Sequence, residues 1–225
     1  MQRAARWLLS RSDIRPSTVS VIGASRGSEL ALLAGALLTE VDAVVGISPS
    51  GAAWSGLDSG GPVDLPVWTF GGRSLPYLLI GDQASLASTT AQGAGPVALR
   101  PAFEEALGRL SVDDDAVIPV ERIGGPVLLV SGRDDTMWPS TPMGRLVERR
   151  ASAHGVGHLV SHLTYDEAGH TCFGVPGLPV YVSARNHPLT GSDYSFGGTR
   201  SGNARARVDS WPKVVAFLHR SGTTS

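Results

Sequence analysis

The sequence predicts an α/β fold in which a mostly parallel sheet is flanked by helices. A β-branched run at residues 19–22 is followed by a long apolar run of good helix formers and then by a second apolar strand at residues 41–47. A strand–helix–strand unit of about thirty residues brings its two strands together in parallel. Later strands are predicted at residues 126–131 and 162–166, with a helix over residues 140–153. A last helix over residues 204–219 is predicted to turn five apolar side chains inward: Val208, Trp211, Val214, Val215 and Leu218.

Length and composition indicate one globular domain over residues 1–225. The chain is 42% hydrophobic and 17% charged, which is enough apolar material for a sizeable core. Its formal net charge of -1 gives no sign of a nucleic-acid or membrane partner. No apolar run is long enough to span a membrane, and the single cysteine fits a reducing compartment. We therefore expect a cytoplasmic protein without a cofactor, and the sequence gives no indication of its oligomeric state.

The most informative stretch is the G-x-S-x-G motif at residues 23–27, between the first strand and its helix. This context is the one that a nucleophile elbow requires, because the serine then lies in a strained turn at the carboxyl end of the sheet. We predict Ser25 as a nucleophile and the backbone N–H of Arg26 as an oxyanion donor. A glycine-rich turn without chemistry is the alternative.

An activated serine needs a base within hydrogen-bond reach and an acid that orients the base. In α/β-hydrolases the acid and then the histidine follow the serine, on loops after later strands. The loop after residues 126–131 offers Asp134 and Asp135, and the loop after residues 162–166 ends at His170. We predict His170 as general base and acid and Asp135 as the orienting carboxylate, with Asp134 as the second choice.

Two other features of the sequence could suggest different chemistry. Cys172 lacks the elbow context and is interpreted as a small buried apolar residue. His158 and His162 are four residues apart, but they lie in a loop running into a strand, so they do not form a helical metal face. No metal site is predicted.

Residues 48–100 are rich in glycine, serine and proline and carry scattered aromatic residues. A loop region of this length in a compact domain is typical of a lid or a substrate wall. The candidate substrate-binding residues are Trp54, Trp68 and Tyr77 in this region and Trp138 after the third strand. Plain packing beneath a lid is the alternative for them.

Several motifs in order resemble the C-terminal catalytic domain of the acyl-CoA thioesterase / bile acid-CoA:amino acid N-acyltransferase family. They are GASRGSEL at 23–30, IPVERI at 118–123, residues 132–140, residues 165–170, and the tail from 197 to 211. The resemblance runs from Arg6 to Leu218 and implies an α/β-hydrolase fold, a triad of Ser25, Asp135 and His170, and acyl-CoA-type thioester substrates. It also favours Asp135 over Asp134. Candidates for binding the coenzyme's phosphates are Arg26, Arg149, Arg150, Arg200 and Arg205.

The transferases of this family carry cysteine at the nucleophile, so Ser25 points to hydrolysis with water as the acyl acceptor. Only eighteen residues precede Val19, so we expect a sheet that lacks the N-terminal strands of the fold, one of whose loops donates the second oxyanion N–H. Two alternatives stay open. One is a carboxylesterase or dienelactone-hydrolase-like ester hydrolase with the same triad, and the other is a truncated, non-catalytic remnant.

Overall fold

The computed structural model describes residues 1–13, 18–58, 61–81, 95–185 and 193–221. Within these ranges the helices are α1 (Gln2–Leu9), α2 (Arg26–Leu37), α3 (Arg100–Leu107), α4 (Ser140–Ala153) and α5 (Arg200–Ser221). The strands are β1 (Val19–Ala24), β2 (Val41–Ile47), β3 (Ser55–Asp58), β4 (Gly61–Pro66), β5 (Thr69–Phe70), β6 (Arg73–Ser74), β7 (Val127–Gly132), β8 (Val160–Tyr165), β9 (Ser183–Ala184) and β10 (Tyr194–Ser195). None of the described helices combines the length and the apolar character needed to cross a bilayer.

The central sheet has the strand order β1-β2-β7-β8, and every neighbouring pair is parallel. The predicted α/β class with a mostly parallel sheet is therefore confirmed. In the part of the chain that the structure describes, β1 forms one edge of this sheet. All four strands run in one direction, so the loops that follow them emerge along one edge.

Helices cover both faces of the sheet. On one face α2 and α4 pack against the strands, and on the other α5 packs against them through Val214 and Phe217. Strands β2 and β7 lie between neighbours and beneath helices on both faces, so Val44 and Val45 are both fully buried although they point in opposite directions. This double burial explains why these strands read as continuous apolar runs in the sequence.

Helix α5 starts four residues earlier than expected, and its inward face differs from the predicted one. Val208 is 60% exposed, so its assignment to the core was wrong. The buried face instead carries polar residues, namely Asn203, Arg207 and Ser210. Because these polar positions share one helical face with Ala206 and Val214, hydrophobic spacing alone misplaces the face.

The interval from 48 to 100 contains more regular structure than the sequence suggested, although residues 59–60 and 82–94 lie outside the described part of the chain. Strands β3 and β4 form one antiparallel pair, and β5 and β6 form another. These strands are short and interrupted by glycine and proline, so they show no alternation long enough to be recognised. Trp54, Ile80 and Leu99 from this interval enter a core cluster with Phe103 and Trp138.

Candidate active site

Ser25 lies at the turn between β1 and α2 in a strained conformation. Its φ of 57° and ψ of -127° are unusual for a residue with a side chain. The turn is so tight that a Cβ on Gly23 would lie 1.9 Å from the carbonyl oxygen of Gly27. The Ser25 N–H donates to the carbonyl of Ile47 at 2.9 Å, which fixes the turn to the end of β2. The local geometry is the one that the G-x-S-x-G motif predicts.

The structure brings Ser25, His170 and Asp135 together at the carboxyl edge of the sheet. His170 Nε2 lies 2.8 Å from Ser25 Oγ, and His170 Nδ1 lies 2.9 Å from Asp135 Oδ2. An ionised carboxylate can only accept hydrogen bonds, so Nδ1 carries the hydrogen in this pair. In the neutral imidazole Nε2 then presents its lone pair to the Ser25 hydroxyl, which is the arrangement required of a general base.

The two aspartates after β7 have different surroundings. Asp135 is fully buried, and its Oδ1 accepts hydrogen bonds from the N–H groups of Met137 at 2.9 Å and Trp138 at 3.2 Å. The Asp134 side chain is exposed. The geometry therefore favours Asp135 as the partner of His170, as the resemblance had implied.

Three chain segments hold the acid and the histidine in register, and we call them the loop clamp: residues 132–135, 167–170 and 196–199. Antiparallel bridges join Asp135 to Gly197 and Ala168 to Gly198. The segments approach so closely that a Cβ on Gly197 would lie 1.9 Å from the carbonyl oxygen of Asp134, and one on Gly169 would lie 2.3 Å from the backbone of Gly197. Only glycine fits at these positions.

Two polar side chains that sequence reasoning missed fix the histidine loop from either side. The Ser48 hydroxyl donates to the carbonyl of His170 at 2.7 Å, and Ser48 itself has a positive φ of 45°. The fully buried Asn203 amide accepts from the Gly169 N–H at 2.9 Å and donates to the Thr199 carbonyl at 3.0 Å. The His170 N–H is also engaged, since it donates to the carbonyl of Phe196 at 2.7 Å.

Arg26 follows the serine, and its backbone N–H and its side chain have different surroundings. As the first residue of α2 it has no intrahelical acceptor for its N–H, which leaves that donor beside Ser25. Its guanidinium lies 3.0 Å from Glu29 Oε2 and donates to the carbonyl of Ser55 at 2.6 Å. The side chain therefore ties the start of α2 to β3.

Glu29 is a fully buried carboxyl group that the sequence analysis did not single out. It accepts hydrogen bonds from the N–H of Trp54 at 3.0 Å and from Nε1 of Trp68 at 2.6 Å. Burial raises the pKa of Glu29, against the opposing effect of the Arg26 charge. Through these contacts Glu29 anchors the segment between β2 and β5 to the helix that follows Ser25.

Two of the predicted substrate-binding aromatics, Trp54 and Trp138, are buried in the core. The Trp54 ring meets Phe103 edge-on at 4.9 Å between centroids, and Phe103 meets Trp138 in the same way at 5.8 Å. Trp138 in turn lies 5.6 Å from the His170 ring. These contacts make a continuous aromatic row that reaches the imidazole.

The other two predicted aromatics lie farther out. Trp68 is half-buried against Glu29, and the Tyr77 hydroxyl donates to Asp64 Oδ1 at 2.8 Å. Neither of these two hydrogen bonds connects Trp68 or Tyr77 to Ser25 or His170.

Cys172 is buried beneath the histidine loop, with its sulfur 3.6 Å from Ser48 Oγ. Burial raises the pKa of its thiol to about 12, so almost no thiolate exists at neutral pH. His162 lies elsewhere, with Nε2 2.8 Å from Ser131 Oγ. In the ranges covered by the structure, no three histidine, cysteine or carboxylate side chains group together as a metal site would require.

The fold and this arrangement together define an α/β-hydrolase: a parallel sheet under helices, a serine on the strand-to-helix turn, and an acid and a histidine on loops after later strands. The family model described as "BAAT / Acyl-CoA thioester hydrolase C terminal" matches residues 1–223. The chain belongs to this family, and the resemblance inferred from its motifs is confirmed.

Named relatives of the chain are acyl-CoA thioesterases. Acyl-coenzyme A thioesterase 2, mitochondrial, of Mus musculus is 30% identical over 219 residues, which are 97% of this chain and 44% of that protein. Acyl-coenzyme A thioesterase 1 of Homo sapiens is 28% identical over 221 residues, covering 97% of this chain and 48% of its own. The chain thus spans about half the length of the curated relatives it matches. Among solved structures, a puromycin-hydrolyzing peptidase of Mycobacterium tuberculosis aligns with 99% of this chain and 24% of its own, at 17% identity and a TM-score of 0.49.

Proposed function

We propose that this chain hydrolyses acyl-CoA-type thioesters through an acyl-enzyme on Ser25. The observation that carries the proposal is the line of hydrogen bonds from Asp135 through His170 to Ser25, at 2.9 and 2.8 Å. Membership of a family described by acyl-CoA thioester hydrolysis supports the substrate class. Relatives named as acyl-CoA thioesterases support it as well.

In the first step the Ser25 oxygen attacks the thioester carbonyl while His170 Nε2 takes the hydroxyl proton. The buried Asp135 carboxylate stabilises the imidazolium that forms and keeps the ring oriented. Negative charge develops on the former carbonyl oxygen, and we expect the N–H of Arg26 to donate to it. Preorganised donors of this kind are effective because they need no rearrangement during the reaction.

The tetrahedral intermediate then collapses, and the carbon–sulfur bond breaks. The coenzyme sulfur leaves readily, because a thiol with a pKa of about 8.5 needs little protonation to depart. The imidazolium gives its Nε2 proton to this sulfur, which releases the free thiol and returns His170 to its neutral form. The acyl group remains on Ser25 as an oxygen ester. His170 next takes a proton from water as the water attacks this ester, and the proton returns to Ser25 when the carboxylic acid is released.

The direct test is release of free thiol from a panel of acyl-CoA thioesters, run beside an aryl ester. The wild-type chain is expected to turn over thioesters, and Ser25→Ala is expected to lose activity by a factor of about 10⁴ or more. Ser161→Ala, which changes an exposed serine on β8, is the matched control and is expected to keep full activity.

Other outcomes assign the chain differently. Turnover of the aryl ester alone would contradict the thioester proposal and support a carboxylesterase or a dienelactone-hydrolase-like enzyme. If a folded protein, verified by its circular dichroism and melting transition, cleaves neither substrate, the non-catalytic alternative is supported instead.

A further inference from the structure

A concavity opens beside the histidine loop. It has a volume of about 530 Å³ and is lined by residues 181–185 together with Phe196 and Arg200. Phe196 connects it to the candidate active site, because the Phe196 and His170 rings are 6.0 Å apart and the Phe196 carbonyl accepts the His170 N–H. The concavity therefore lies one aromatic ring away from the imidazole that contacts Ser25.

Two arginines give the cavity positive charge. Arg185 and Arg200 both line it and are exposed, and neither forms an ion pair in the described part of the chain. Three of the other candidate arginines are instead engaged with carboxylates, in the pairs Arg26–Glu29, Arg150–Glu121 and Arg205–Glu167. Two free guanidinium groups in one concavity favour an anionic ligand, and their planar fork suits phosphate oxygens in particular.

An exposed aromatic ring completes the lining. Tyr181 is 61% exposed, although its backbone is held in place. The Thr171 hydroxyl donates to the Tyr181 carbonyl, and the Phe196 N–H donates to the neighbouring Val182 carbonyl at 2.8 Å. The buried Arg207 supports the segment just before it by donating to the Pro179 carbonyl at 3.0 Å. A ring on a fixed backbone is suited to stack on a planar base, since little freedom is lost on binding.

We propose that this cavity binds the phosphorylated adenosine end of the CoA thioester, with Arg185 and Arg200 contacting phosphates and Tyr181 stacking on adenine. The inference rests on the proposed function, since it identifies where the non-reacting end of that substrate is held. We expect these contacts to hold the ground state and the transition state equally, so their loss is expected in KM and not in kcat.

The test compares two substrates with the same acyl group, an acyl-CoA and the corresponding acyl-pantetheine thioester, which lacks the nucleotide. In the double variant Arg185→Ala/Arg200→Ala, KM for the acyl-CoA is expected to rise by about tenfold, in line with the loss of charge-assisted contacts. KM for the acyl-pantetheine is expected to stay within about twofold of wild type, because that substrate never reaches these residues. Arg145→Ala, which changes an exposed arginine on α4 across the sheet, is the matched control and is expected to alter neither constant.

A binding measurement makes the result independent of catalysis. Adenosine 3′,5′-bisphosphate titrated calorimetrically into the protein is expected to bind to wild type and to Arg145→Ala, and to lose affinity in the double variant and in Tyr181→Ala. Equal losses on both thioesters, or nucleotide binding unchanged by the double variant, would overturn the assignment. If no thioester is cleaved but the nucleotide binds through these residues, the proposed function fails while the ligand chemistry of the cavity stands.

Discussion

Asp134 and Asp135 are neighbours in the chain, but only Asp135 lies against the histidine, with its Oδ2 2.9 Å from His170 Nδ1. The loop clamp is responsible for this difference. The Asp134 N–H donates to the Ala168 carbonyl at 2.9 Å, and the Asp134 carbonyl accepts from Gly198 at 3.1 Å. Because both backbone groups of Asp134 are engaged, its side chain faces solvent and the next residue faces inward.

This relationship predicts opposite results for two conservative substitutions. Asp135→Asn is expected to lower kcat for thioester hydrolysis by a factor of about 10⁴, because an amide in this position favours the wrong tautomer of the histidine. Asp134→Asn is expected to leave kcat within about threefold of wild type, because it changes an exposed side chain that does not contact the histidine. Steady-state kinetics on both variants test these two expectations, and melting curves verify that both variants are folded. A larger loss in Asp134→Asn would contradict the assignment of the acid.

The loop clamp predicts a steric requirement at Gly197. In Gly197→Ala the new Cβ would lie 1.9 Å from the Asp134 carbonyl oxygen, so the clamp must open and both stability and activity are expected to fall severely. Gly177→Ala is the matched control, since Gly177 also has a positive φ of 89° but nothing lies within 4 Å of its Cβ position. That control is expected to lose only about 1–2 kcal/mol of stability, the ordinary cost of this backbone conformation.

Chemical denaturation and kinetics on the two glycine variants separate the steric effect from the conformational one. Similar losses of stability and activity in both would mean that the close approach of the three segments is not required.

The buried Glu29 predicts a pH dependence of stability. Burial raises the pKa of Glu29 in the folded protein, so its contribution to the free energy of unfolding is fully present below its ordinary pKa and is lost as the pH rises through the folded-state pKa. Glu29→Gln removes this titration. The free energy of unfolding of the variant, relative to wild type, is therefore expected to increase as the pH rises above 4.5.

Glu121→Gln is a control that is expected to show the opposite pH dependence of the free energy of unfolding. Hydrogen bonding to Arg150 lowers the pKa of Glu121, so its stabilising contribution is present above its ordinary pKa and is lost as the pH falls through the folded-state value. Urea denaturation of the two variants and of wild type, from about pH 2.5 to about pH 8, measures both trends. A relative stability of Glu29→Gln that falls with rising pH would show that the charge of Arg26 outweighs the effect of burial.

Much of the architecture was accessible from the sequence because local pattern and tertiary burial agree there. Helix α4 has the predicted bounds, Ser140–Ala153, and β7 and β8 lie within one or two residues of their predicted positions. The elbow at Ser25 was recognisable because a strand, two glycines and a helix occur together in one short stretch.

The missed features depend on contacts between distant parts of the chain. Glu29 reads as an ordinary helix residue until Trp68, 39 positions away, donates to it. Asn203 contacts Gly169 across 34 positions, and its place on a buried but polar helical face is the reason that the orientation of α5 was mispredicted. A usable signal was nevertheless present, since the glycines of the 197–202 tail mark a close backbone approach.

The central claim is that the acyl group passes through Ser25, and its most direct test is to trap that intermediate. The reaction with an acyl-CoA is quenched in acid within a single turnover, and the modified peptide is located by mass spectrometry. We predict the mass of the acyl group on the peptide containing Ser25, and no such adduct in Ser25→Ala. An adduct on Cys172, or thioester turnover that persists undiminished in Ser25→Ala, would contradict the account.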